Sequence, residues 1–271
     1  MALPRADKAD ICLLLEGTFP YVSGGVSSWV NQIIRGFPEY TFACCFVGSR
    51  PEDYGDMKYT LPDNVVHLEV HYLHDFQRGA EKKPKKGDPE AFERLRRLHE
   101  LMRTGRHSRE REALLGEALD GLGDGCCYSE DAFLHSRASW DFISDAYRKY
   151  SRDPSFVDYF WTVRIMHSPF WVLNDIASNL IPARMYHTIS TGYAGFLGAM
   201  LKRRTGRPLL LSEHGIYTKE RKIDLFQSEW ISDNRGLVEK NNAEMAYFRE
   251  KWVNFFTELG RECYQSSDRI V

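Results

Sequence analysis

A chain of 271 residues, 43% of them hydrophobic, can enclose a full core, and its length suits one large domain or two small ones. Its formal net charge of -2 argues against nucleic-acid binding by bulk charge, and no apolar run approaches the ~18 residues a membrane span needs. Residues Met1 to Lys8 lack the apolar stretch of a signal peptide and the six cysteines form no C-x-x-C, so the expectation is a soluble, cytoplasmic protein with reduced thiols and no zinc ribbon.

The first element is a continuous apolar run, Ile11 to Leu15, of the kind found in strands covered on both faces. Pro20 and the pair Gly24-Gly25 end it. From Val26 the apolar residues Val26, Trp29, Val30, Ile33, Ile34 and Phe37 recur at three and four residues, the spacing of an amphipathic helix. Tyr40 to Val47 and Val65 to Val70 read as further strands, with Cys44 and Cys45 as small reduced core residues.

Asp75 to Pro182 holds no strand pattern and reads as a helical insertion, with helices over Pro89 to Arg103, Arg109 to Leu122, Ser129 to Tyr150 and Ser155 to Leu180. Trp140, Trp161, Trp171 and Trp230 either pack inside it or form a sugar-stacking platform. The basic run around Lys82 to Lys86 is a solvated face or a binding site for an acidic polymer, a lipid surface or a partner protein. A weak strand, Ala183 to Ile189, leads into a helix over Gly192 to Arg204 that stops at Gly206 and Pro208; Leu209 to Leu211 follows as a strand. Strand, helix, strand within about 30 residues is a parallel βαβ unit. Leu237 to Tyr264 is a long amphipathic helix with Met245, Phe248, Trp252, Phe255, Leu259 and Cys263 inward, and Ser267 to Val271 reads as the start of another strand. The expected fold is therefore α/β, a Rossmann-like open parallel sheet with a large helical insertion.

Common signatures are missing: no G-x-G-x-x-G, no P-loop, no H-E-x-x-H, no G-x-S-x-G and no Asp-x-Asp. Two loops carry the chemistry that remains. Gly24-Gly25 precedes a helix whose first amides and dipole can seat an anion, unless the pair is only a turn. Glu213-His214, with Tyr217, Lys219 and Arg221 beyond, follows a strand at the carboxyl edge, where open parallel sheets bind ligands. There His214 either donates to a sugar hydroxyl or leaving group, or makes a local backbone hydrogen bond. His187 lies at another strand end among Thr188, Ser190 and Thr191, whose hydroxyls serve a polar ligand or, more simply, cap the next helix.

The segment Asp10 to Val30, with Glu16-Gly17-Thr18-Phe19-Pro20-Tyr21-Val22-Ser23-Gly24-Gly25-Val26, closely resembles the start of the PelF-like glycosyltransferases of glycosyltransferase family 4. Tyr186 to Gly195 and Ser212 to Arg221 are similar to the same group. The resemblance implies the N-terminal, acceptor-side half of a GT-B fold over residues 1–271, with an insertion at about 75–182 and the C-terminal nucleotide-sugar domain lacking. It further implies retaining transfer from a nucleotide sugar, expected to be a UDP-sugar, to a growing bacterial exopolysaccharide, with no metal or other cofactor. Partners would be the donor, the polysaccharide acceptor and membrane-bound synthesis proteins, and no nucleic acid. By resemblance His214 is catalytic, and Gly24, Gly25 and Val26 lie near the donor diphosphate. Glu16, His187, Glu213, Tyr217, Lys219 and Arg221 are candidate acceptor or sugar contacts. On this reading the chain alone has little transferase activity. Two alternatives stay open: a non-catalytic scaffold of a polysaccharide-synthesis complex, and a GT-B nucleotide-sugar epimerase.

Overall fold

The computed structural model describes residues 3–74, 85–105, 107–151, 155–215, 217, 219 and 241–271. The chain forms two compact units, one of Met1–Asp75, Ile176–Phe226 and Val253–Val271, the other of Phe76–Asp175 and Gln227–Trp252.

The first unit is built on six strands: β1 (Ala9–Glu16), β2 (Phe42–Gly48), β3 (Val65–Tyr72), β4 (Ala183–Thr188), β5 (Leu209–Leu211) and β6 (Arg269–Ile270). Every pairing is parallel and the spatial order is β3-β2-β1-β4-β5-β6. This is the doubly wound Rossmann-like order, with its switch point between β1 and β4. The register places Leu13 beside Cys44 on one side and His187 on the other.

Central strands covered on both faces carry apolar residues at every position, hence the fully buried Phe42–Gly48 run. Helix α1 (Gly25–Gly36) lays Val30 and Ile34 against Leu13, Leu15, Phe42 and Cys44 on one face. On the other face α7 (Tyr193–Thr205) comes so close that a Cβ on its Gly198 would meet side chains of Leu14 and Leu209. Cys44 and Cys45 are buried free thiols, and burial pushes Cys44 up to about 12, so both stay protonated core residues.

The second unit is helical: α2 (Pro89–Arg103), α3 (Arg109–Asp120), α4 (Glu130–His135), α5 (Arg137–Tyr150) and most of α6 (Phe156–Asn179). Phe92, Phe133, Phe142, Tyr159 and Trp171 dominate its core. Asp88 starts α2 by accepting from the amides of Glu90 and Ala91, and Ser108 does the same for α3 through Arg111 N–H. The helix expected over Ser129 to Tyr150 is instead broken at Ser136. Its backbone is extended there and its Oγ accepts from Ser139 N–H, starting α5, while Lys85 exchanges backbone hydrogen bonds with His135 and Arg137. Helix α8 (Asn241–Ser266) follows the expected C-terminal helix, with Trp252 buried as expected but Phe256 rather than Phe255 buried beside it. Residues 237–240 and Trp230 lie outside the described residues. Among the described residues, no helix is long and apolar enough to cross a membrane.

Candidate functional site

All strands being parallel, the carboxyl ends of β1, β4 and β5 share one edge, and the loops that leave them meet around the switch point. The loop after β1 turns at Gly17, whose φ of 58° lies in the left-handed region, and its N–H donates to Val47 O at 3.0 Å. Lys58 N–H bonds Pro20 O at 2.8 Å, and Tyr59 OH lies 3.1 Å from Ser28 Oγ, so the segment after β2 braces this loop.

At the N-terminus of α1 the first bond runs from Ser28 N–H to Gly24 O, and no side chain caps the preceding amides. Gly24 and Gly25 are exposed, and a Cβ built on either meets nothing within 4 Å. Neither glycine is required by packing or by positive φ. Val26, by contrast, is half-buried against the core under α1.

One turn into α1, Trp29 joins the histidine of the β5 loop to the one near the end of β4. Its ring lies 4.1 Å from that of His214, edge-on at 77°, and 6.1 Å from that of His187. His214 is exposed in the loop after β5, while His187 sits within β4 and is buried. His187 Nε2 is 2.9 Å from Ser212 Oγ. Burial, helped by neighbouring His214, pushes the His187 imidazole down to about 4, so it is neutral at pH 7.

The acidic residues of this edge are held by protein donors. Glu16, at the end of β1, accepts from Tyr217 OH at 2.7 Å, Ala194 N–H at 3.0 Å and Ser190 Oγ at 3.2 Å. Gly192 makes room for this cluster, since a Cβ there would fall 2.4 Å from the Tyr217 ring and 2.6 Å from Glu16 Oε2. The expectation that Ser190 or Thr191 caps α7 is corrected: the helix amide is capped by Glu16, from another strand. Glu213 Oε1 accepts from Tyr264 OH at 2.5 Å, and burial followed by this contact raises the Tyr264 phenol. Lys219 is exposed, and Arg221 lies outside the described residues.

The two helix N-termini at the switch point therefore differ. That of α7 already holds a carboxylate; that of α1 is open, glycine-lined and next to the Trp29–His214 pair. Sequence reasoning reached both loops but missed Trp29, which reads as one more core residue of α1, and the Ser212 and Tyr264 partners. The sole sequence signal for Trp29 is its place one helical turn after Gly25. Among the described residues, no three His, Cys, Asp or Glu side chains form a metal-binding group.

Fold and edge together define a Rossmann-like α/β protein with an uncapped helix end beside an exposed imidazole. Over residues 9–271 the chain matches, and belongs to, the family described as domain of unknown function DUF3492, a domain found in glycosyltransferase-like proteins. No curated protein and no solved structure matches it.

Proposed function

We propose that this chain forms the acceptor-side half of a GT-B glycosyltransferase that uses a UDP-sugar to extend a bacterial exopolysaccharide, in the manner of the PelF-like enzymes. The observation that carries this reading is the meeting of the uncapped Gly24-Gly25 helix end with His214 through Trp29, at the carboxyl edge of the switch point. A diphosphate suits the free amides and dipole of α1. His214, exposed and held edge-on by Trp29, is the group that reaches a sugar hydroxyl or the leaving oxygen. His187 stays neutral and buried, and positions the β5 loop through Ser212 rather than meeting substrate. Lys219, and Arg221 beyond the described residues, would add positive charge on the acceptor side.

The test is titration of the 15N-labelled chain with UDP-sugars, followed by amide and indole resonances. Shifts are expected at Gly24, Gly25, Val26, Ser27 and the Trp29 indole, with His214→Ala and Gly25→Val each weakening them about tenfold or more. Saturation without change at these signals, or shifts that survive both substitutions, rejects the assignment. Conversion of a UDP-sugar to its epimer without acceptor would identify an epimerase instead.

A further inference from the structure

A surface helix normally turns charged and polar residues to water. Helix α6 does the reverse. Between Phe156 and Asn174 its exposed positions are Val157, Trp161 and Ile165, at 60%, 54% and 43% exposure and one helical turn apart. Trp140, on α5 and 44% exposed, extends the strip: its ring lies 5.4 Å from those of Phe156 and Phe160, and Phe160 lies 5.8 Å from Trp161. Trp171, the other tryptophan of α6, is buried and donates to Tyr128 O, so the four-tryptophan platform does not form.

Arg164 lies inside this strip. Its guanidinium carbon is 5.1 Å from the centroids of both Phe160 and Trp161, and Nη2 donates to Leu134 O at 3.0 Å. Among the described residues no carboxylate pairs with it, and its Nε is buried without an acceptor. Asp158, the acid within the strip, is taken up by Ser155 Oγ.

We propose that this face of α5 and α6 docks on an anionic phospholipid surface, with Trp161, Val157 and Ile165 at the headgroup–acyl boundary and Arg164 meeting a lipid phosphate. The residue types select this occupant. Tryptophan favours the membrane interface and aliphatic side chains enter it, while a guanidinium on an apolar stem reaches back to the headgroups. The unpaired Arg164 supplies charge complementarity to an anionic lipid. A sugar chain fits less well, because Val157 and Ile165 offer it no hydrogen bonds and the guanidinium covers the Phe160 and Trp161 faces. Four half-exposed side chains offer on the order of 400 Å², whereas a stable dimer buries about 800 Å² per partner. No described helix can span a bilayer, so the contact is superficial.

The experiment is flotation of the whole chain with phosphatidylcholine vesicles, with and without phosphatidylglycerol, together with quenching of tryptophan fluorescence by brominated lipid. Flotation that increases with phosphatidylglycerol is expected. The double variant Val157→Ser/Trp161→Ser should lower partitioning about tenfold or more and remove most of the quenching, with an unchanged far-UV spectrum because both positions are exposed. No flotation, equal binding to neutral vesicles, or unchanged binding by the variant overturns the proposal. Self-association abolished by the same substitutions, without vesicle binding, would make the occupant a second copy of the chain. Failure here leaves the sugar-nucleotide reading untouched, since that is read from different residues.

Discussion

Glu16 is the residue on which the carboxyl edge turns. Its two oxygens gather Ser190, the Ala194 amide and Tyr217, tying β1 to the start of α7 and to the segment after β5. Charge-assisted hydrogen bonds of this kind stabilise more than neutral ones, and an abandoned donor keeps its desolvation cost. Glu16→Ala should therefore lower stability by about 2–3 kcal/mol, measured by urea unfolding at pH 7, with Glu16→Gln recovering part of the loss through its remaining acceptor. An alanine variant as stable as the parent would mean these three contacts are incidental. Sequence made Glu16 a candidate sugar contact; its donors come from residues more than 170 positions away, which no local pattern displays.

At the scale of elements, α7 owes its position to a glycine stripe. Gly192, Gly195 and Gly198 recur every three residues, and each faces a neighbour too close for a side chain. A Cβ on Gly195 would lie 2.5 Å from the Ser190 carbonyl oxygen and 2.8 Å from Cys263 Sγ, the first of which is backbone and cannot rotate away. Alanine improves helix propensity by about 1 kcal/mol, yet overpacking costs about 1–3 kcal/mol, so Gly195→Ala should be net destabilising. Gly25→Ala meets nothing within 4 Å and should leave the melting temperature unchanged or slightly raised. Thermal melts of the two variants side by side decide this, and equal behaviour would remove the packing argument.

The same comparison marks what the sequence could reveal. Apolar runs and helix stops were legible because they are local, so all six strands and the α2 boundaries coincide with the structure to within a residue or two. The break at Ser136 was not, because the periodicity runs straight through it and the cause is a strand-like bridge to Lys85. The site was half legible. Strand-end loops announced Gly24-Gly25 and His214, while Trp29, which joins them, follows the same three-and-four spacing as the core residues beside it.

For the molecule as a whole, one buried imidazole and two half-buried ones set the response to acid. His187 in the sheet unit and His167 in the helical unit are each pushed down to about 4, chiefly by burial, and His99, stacked on His167 at 5.5 Å, is held well below its usual value. In the unfolded chain each titrates near 6.5. Between those values the unfolded state binds protons that the folded state refuses, so stability is full above about pH 6.5 and declines as pH falls toward 4. At pH 5 the shortfall is about 2 kcal/mol for each of His187 and His167. Lys251, pushed down to about 8 by burial and the nearby Arg103, acts in a separate window. There the unfolded ammonium keeps a proton the folded one has lost, so stability rises with pH from about 8 to 10.5, and Lys251 does not offset the acid effect. Urea midpoints at pH 7.5 and 5.0 should thus differ clearly, and His187→Gln, which cannot protonate, should narrow the gap. Equal midpoints at the two pH values would show that these imidazoles accept protons within the folded protein.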